Sequence, residues 1–322
     1  MRTISVLGCL LATAVLVSAQ PSTIRPAATF SIVAYDSTTG ELGVGVQSHW
    51  FSVGSDVSWA EAGVGAVATQ SFIEPGYGAR GLALMESGKL PEEALEALLS
   101  EDPDRSVRQV AFVDSAGRVA VHTGKMCIPA AGHRTGKGYS VQGNILESPQ
   151  VWDDMAEAFE QTKGPLAQRI LAALEAGQKA GGDLRGRQSA ALVVTRSRSK
   201  DKPWLNRIVD LRVEDHPEPI RELGRLYDLR RAYDLANEGD GYLAAGQFEK
   251  AYEAYNAALE IVPENDELIF WRGAMLHQAG RESEALADIK RAVEMNPRWL
   301  MLLGRIQEEH LAGAKAILEK LQ

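Results

Sequence analysis

Several strand-like runs in this chain carry small or apolar residues on both faces, VGAVA (residues 64–68) and AALVV (190–194) among them. A strand that faces water on one side alternates cleanly, so these runs require cover on both sides. The connections between successive runs are short enough to force antiparallel pairing: TFSIVAYD and ELGVGVQSH flank the turn STTG, and VRQVAFVD and RVAVHTG flank Ser115-Ala116-Gly117. Helical patterns interrupt the strands twice, as YGARGLALMESG with PEEALEALLS and as VWDDMAEAFEQ with LAQRILAALEAG. GYSVQGNIL adds a strand before the second helical block, and SAALVVTRS with NRIVDLRVED follows it. Two antiparallel sheets face to face, with helices outside, satisfy every one of these demands. The expected class is α+β, a four-layer α-β-β-α sandwich over residues 29–216.

The C-terminal third has a different grammar. Shifted on itself by 34 residues, it matches Gly239 with Gly273, Gly246 with Gly280, Ala251 with Ala285, Ala258 with Ala292 and Pro263 with Pro297. Small residues where paired helices touch, and proline closing the second helix, resemble the tetratricopeptide repeat. Tyr242, Phe248 and Tyr255 fill large apolar positions of the first copy. An all-α repeat module with a closing helix is expected over 232–322, joined to the sandwich by a linker helix over 217–231. Stacked repeats present a concave helical face, which suits a protein or peptide partner; a packing or dimerisation appendage is the plainer alternative.

The N-terminus reads as an export signal. Met1-Arg2 precedes the apolar run ISVLGCLLATAVLV, and Val17-Ser18-Ala19 offers small residues for cleavage before Gln20. Residues 1–19 are then a signal peptide and 20–28 a spacer, with a periplasmic or extracellular destination. Cys9 belongs to the signal, which leaves Cys127 as a single mature cysteine without an intrachain partner. A formal charge of -9 argues against a nucleic-acid surface. His49, His122 and His133 lack metal-ligand spacing, GHRTGKG departs from the phosphate-loop pattern, and no GxSxG elbow occurs. No cofactor or metal is expected.

The turn STTG also sets a register. If Asp36 opposes Glu41, paired positions sum to 77, and Thr29 at the head of the first strand falls opposite Ser48, with His49 one step beyond. A threonine hydroxyl needs a base to become a nucleophile, and the residue's own α-amine, with an ordinary pKa of about 7.7–8.0, is one such base. That chemistry demands a cut between Ala28 and Thr29. The plainer reading of Thr29 is a β-branched strand starter.

TFSIVAYDSTTGELGVGVQS, WAEAGVGAVATQSF, GYGARGLALMESG, GYSVQGNIL, GGDLRGRQSAALVV and VDLRVEDHPEPI occur in this order. Together they resemble the bacterial domain-of-unknown-function family 1028, grouped with the Ntn-hydrolase-like (N-terminal nucleophile) folds. The resemblance implies the same four-layer sandwich, with a catalytic residue at the head of the first strand, the place Thr29 holds. Asn144, with Gln142 on the same face, is the side-chain candidate for steadying an oxyanion; both also suit a strand edge. Arg187, near Arg185 and Gln188, could hold a substrate carboxylate or form a structural ion pair. Glu74 and Tyr77 are placed in the pocket lining. The expected function is an exported amidohydrolase acting on a small amide or peptide-like substrate. The alternative is a non-enzymatic ligand- or envelope-binding protein on the same scaffold. Self-association through the outer helices is a further expectation.

Overall fold

The computed structural model describes residues 26, 27, 29–197 and 205–321. The expected signal peptide and most of the spacer lie outside the described residues. The strands are β1 (Thr29–Asp36), β2 (Glu41–Ser48), β3 (Ser58–Glu61), β4 (Gly65–Ser71), β5 (Arg108–Asp114), β6 (Val119–Thr123), β7 (Gly132–Gly136), β8 (Tyr139–Asn144), β9 (Ser189–Thr195) and β10 (Arg207–Val213). The helices are α1 (Val53–Val57), α2 (Gly76–Glu86), α3 (Pro91–Glu101), α4 (Gln150–Gln161), α5 (Leu166–Lys179), α6 (Pro219–Ala244), α7 (Phe248–Ile261), α8 (Asp266–Gln278), α9 (Glu282–Met295), α10 (Arg298–Leu303) and α11 (Ala314–Leu321).

The strands form two antiparallel sheets, β10-β9-β2-β1-β8-β7 and β3-β4-β5-β6. Three apolar layers follow from the period-2 alternation of the strands. Phe30, Ile32 and Leu192 pack outward beneath α4 and α5. Val33, Val44, Val46, Ala66, Ala68, Ala111 and Val193 fill the space between the sheets. Val67, Val110 and Phe112 pack outward beneath α2 and α3. This is the four-layer sandwich. Gly45 shows how closely the layers approach: a β-carbon there would lie 2.4 Å from Ile170 on α5.

The hairpin register holds residue for residue, with Asp36 opposite Glu41 and Thr29 opposite Ser48. Three elements had no counterpart in the sequence reading. The five-residue α1 and four-residue β3 are too short to show a period. The edge strand β7 is formed by GHRTG, whose polar residues lack the usual strand signal. The linker is also not a separate helix. The 26-residue α6 runs without a break into the first repeat. Its Ile220, Leu223 and Tyr227 pack on the sandwich, and its Ala232 and Ala236 pack in the repeat core. α6 with α7, and α8 with α9, form the two helix pairs, closed by α10 and α11.

Candidate functional site

The inter-sheet layer changes character along its length. Valines and alanines occupy most of it, but at the head of β1 the same inward positions carry Thr29, Ser31, Ser48, Ser140, Gln142 and Asn144 from the larger sheet. Gln70 and Gln109 meet them from the smaller sheet. All are fully buried. β1 and β2 are the two middle strands of the six-stranded sheet, and β8 pairs with β1 on its other side, so Thr29 lies between Ser48 and Asn144.

Buried amides and hydroxyls are costly unless paired, and these are extensively paired. Gln142 Nε2 donates to Ser31 Oγ at 2.6 Å, and Ser31 donates to Gln70 Oε1 at 2.6 Å. Ser140 donates to Gln142 Oε1 at 2.8 Å. Gln109 Oε1 accepts from Gln70 Nε2 at 2.8 Å and from Asn144 Nδ2 at 2.9 Å. Gln109 Nε2 donates to the Gly143 carbonyl at 2.9 Å, and to the Gly132 carbonyl and Thr123 Oγ1, each at 3.0 Å. Thr123 in turn lies 2.8 Å from Nδ1 of His133, whose imidazole pKa is pushed down by burial and then by His122. The side chains that join the two sheets are amides and hydroxyls, which carry no formal charge.

Thr29 Oγ1 donates to the Ala27 carbonyl at 2.9 Å and lies 3.3 Å from Ser48 Oγ. Neither group is a base, so among the described residues the hydroxyl's partners include no proton acceptor suited to nucleophilic attack. Asn144 commits one N–H to Gln109, and its Oδ1 is buried without a partner. Two residues upstream of Thr29 are pinned: Ala27 N donates to the Ser71 carbonyl at 2.8 Å, and Arg185 Nη1 donates to the Pro26 carbonyl at 3.1 Å. Asp183, almost fully buried, accepts from Arg185 and from the backbone N–H of His49 at 2.8 Å.

The structure thus brings Thr29, Ser48, Gln142 and Asn144 into one layer. His49 and Gln188 stand at its rim: His49 Nδ1 lies 3.3 Å from the Arg187 carbonyl, and Gln188 N donates to the Ser48 carbonyl at 3.2 Å. The Arg187 guanidinium is engaged by Glu218, and Gln188 Nε2 donates to Asp215 at 3.2 Å. Glu74 and Tyr77 are elsewhere. They line a separate cleft of about 320 Å³ with Arg80, Leu98, Glu101 and Asp102, because the chain has already left the sheet for α2. Burial pushes the Cys127 thiol pKa up, away from thiolate chemistry. Among the described residues, no group of three His, Cys, Asp or Glu is placed to hold a metal ion.

Sequence reasoning passed over Ser31, Gln70, Gln109 and Asp183. The signal for two of them was present: glutamine stands on the otherwise apolar inward faces of the strands GAVATQS and RQVAFVD.

The repeat module holds a second concavity, of about 330 Å³, between α6 and α8 and walled by Leu311 of the closing segment.

Comparison with known proteins agrees with this division. The family of unknown function DUF1028 matches residues 29–223, and a tetratricopeptide repeat matches 239–280. The crystal structure of a DUF1028 protein from Silicibacter pomeroyi is similar, with 33% identity and a TM-score of 0.57 over 62% of this chain and 84% of that one. The chain belongs to the DUF1028 family. Curated relatives match for a shorter stretch. The Hsp70-Hsp90 organizing protein of Triticum aestivum is 35% identical over 88 residues, 26% of this chain and 15% of that protein. The mitochondrial import receptor subunit TOM70 of Homo sapiens is 31% identical over 100 residues, 30% of this chain and 16% of that protein. The chain spans only about a sixth of the length of these two relatives.

Proposed function

Starting from membership of DUF1028, we propose that the sandwich is an amidohydrolase of the N-terminal-nucleophile type, acting on a small amide or peptide-like substrate. We propose also that the chain is exported to the periplasm or beyond. The observation that carries the enzymatic reading is the position of Thr29. It heads a middle strand, between Ser48 and Asn144, where the inter-sheet layer turns polar. In the chain as described, the Thr29 nitrogen is an amide. A cut between Ala28 and Thr29 would supply the missing base: the freed α-amine takes the hydroxyl proton, Oγ1 attacks the substrate carbonyl carbon, and the second N–H of Asn144 steadies the oxyanion. The substrate C–N bond then breaks, its nitrogen leaving with the proton from the α-ammonium, and water hydrolyses the Thr29 ester to release the acid and restore the hydroxyl.

A second reading rests on the same residue. With its hydroxyl bonded to Ala27 and its surface fully covered, uncut Thr29 suits a closed ligand-binding scaffold. In either case the repeats support a protein partner, as do the names of the organizing protein and the import receptor. Intact mass and N-terminal sequencing of protein from its native compartment separate the two readings. The hydrolase reading expects a chain starting at Thr29, loss of amide hydrolysis in Thr29→Ala and retention in Thr29→Ser. Active protein that keeps Ala28, or turnover unchanged in Thr29→Ala, sinks it.

A further inference from the structure

The groove between α6 and α8 has a charge that the repeat pattern did not announce. Its walls include Leu243, Trp271 and Met275, with two carboxylates among them, Asp240 and Glu267. Among the described lining residues there is no lysine or arginine. Each carboxylate is held by a phenol: Tyr255 donates to Asp240 at 2.6 Å and Tyr233 to Glu267 at 2.5 Å. Burial, and then these same hydrogen bonds, push both phenol pKa values up, and Tyr255 senses Glu267 as well as Asp240. The phenols therefore stay protonated and act as fixed donors. A carboxylate has about four acceptor sites, so each keeps capacity for a second donor.

The neighbouring arginines do not neutralise this pair. Arg230 is bonded to Asp234, Arg231 to Asp228, and Arg272 to Asp288 and Asn256. Two carboxylates on the walls of one groove, with no lysine or arginine among its described lining residues, favour a cation by Coulomb attraction. The aliphatic walls favour apolar flanks. The volume lies at the lower end of the ~300–1,000 Å³ typical of ligand pockets, which suits a short stretch of side chains.

We propose that this groove docks a cationic segment of a partner protein, an arginine or lysine seated between Asp240 and Glu267 with aliphatic neighbours against Leu243, Trp271 and Met275. The proposal deepens the partner-docking reading of the repeats and rests on it; it is independent of Thr29. An anionic segment would meet two like charges, Asp240 and Glu267.

The test uses the full chain and three fluorescein-labelled, amidated peptides of one length. In these, leucine alternates with arginine, with serine or with glutamate. Fluorescence anisotropy should show the arginine peptide binding at least about tenfold more tightly than the serine peptide, and the glutamate peptide most weakly. The double variant Asp240→Asn, Glu267→Gln keeps acceptors for both phenols. It should weaken the arginine peptide about tenfold with an unchanged thermal melt, and Trp271→Ala should weaken every peptide that binds. If the glutamate or serine peptide binds as well as the arginine peptide and Trp271→Ala weakens it, docking stands and the cationic assignment falls. Arginine-peptide binding indifferent to the double variant also overturns the assignment, as surface attraction only. Failure of all three peptides to bind removes both readings.

Discussion

Gln109 is the residue on which the two sheets most depend at the polar end of the sandwich, and Gln109→Ala is the sharpest test of that reading. Its Oε1 accepts from Gln70 and Asn144, and its Nε2 faces the Gly143 and Gly132 carbonyls and Thr123. Gln70 retains longer contacts to the Thr29 and Gln142 carbonyls, at 3.3 and 3.4 Å, whereas Asn144 Nδ2 loses its partner. Leaving a buried polar group unsatisfied costs roughly 1–3 kcal/mol. Two such groups, one donor and one acceptor, give about 2–6 kcal/mol, and the cavity adds about 1–2 kcal/mol. A buried water bridging Asn144 and Gly143 would recover part of this, so the expected cost is about 3–5 kcal/mol. Gln109→Leu fills the volume but excludes that water and leaves both groups unsatisfied, so it should cost a comparable amount, about 2–6 kcal/mol. The assay is urea unfolding of the full chain, with hydrogen exchange at β5 and β8 to locate the loss. A cost below about 1 kcal/mol for both variants would refute the view that these amides hold the sheets together.

Other consequences follow from the packing and the charges. In the repeats, a β-carbon at Gly273 would lie 2.7 Å from Ile289 and 3.1 Å from the Ala285 carbonyl. Gly273→Ala should therefore cost about 1–3 kcal/mol, read as a lower melting temperature with the sandwich exchange pattern unchanged. Gly280→Ala has open space but a φ of +75°, so its cost should be only about 1–2 kcal/mol of backbone strain. Asp102 offers a pH test. Burial pushes its carboxyl up, but Arg108 at 2.8 Å, the Asp104 N–H and the Tyr77 hydroxyl outweigh burial and hold it below its ordinary value. Its contribution is present above the unfolded pKa of about 3.9 and disappears as pH falls through the lowered folded value. Urea midpoints of Asp102→Asn should accordingly lie below those of the parent at about pH 6, with the difference shrinking as pH falls below the unfolded value of about 3.9. A constant difference across that range would exclude a titrating Asp102.

Local pattern carried a good deal of this architecture. Apolar residues on both faces of strands as short as VGAVA demanded two covered sheets, and the turn STTG alone placed Thr29 opposite Ser48. The 34-residue recurrence placed the helix pairs, because small residues must recur wherever paired helices touch. These are near-neighbour constraints, set by side-chain period and turn geometry, and they can be counted along the chain. The second partner of Thr29, Asn144, was not countable, since β8 arrives after about a hundred intervening residues. The amide network was equally hidden. A period of 2 tells which face of β4 Gln70 occupies, but not that Ser31 waits on the facing sheet or Gln109 on the neighbouring strand. That Glu74 and Tyr77 line a cleft apart from Thr29 was hidden for the same reason, and the acidity of the repeat groove arises only once α6 and α8 lie side by side. Strand and helix identity are written in short-range chemistry. Which polar groups meet is settled by the long-range closure of layers, where each buried donor must find whichever acceptor the opposite layer supplies.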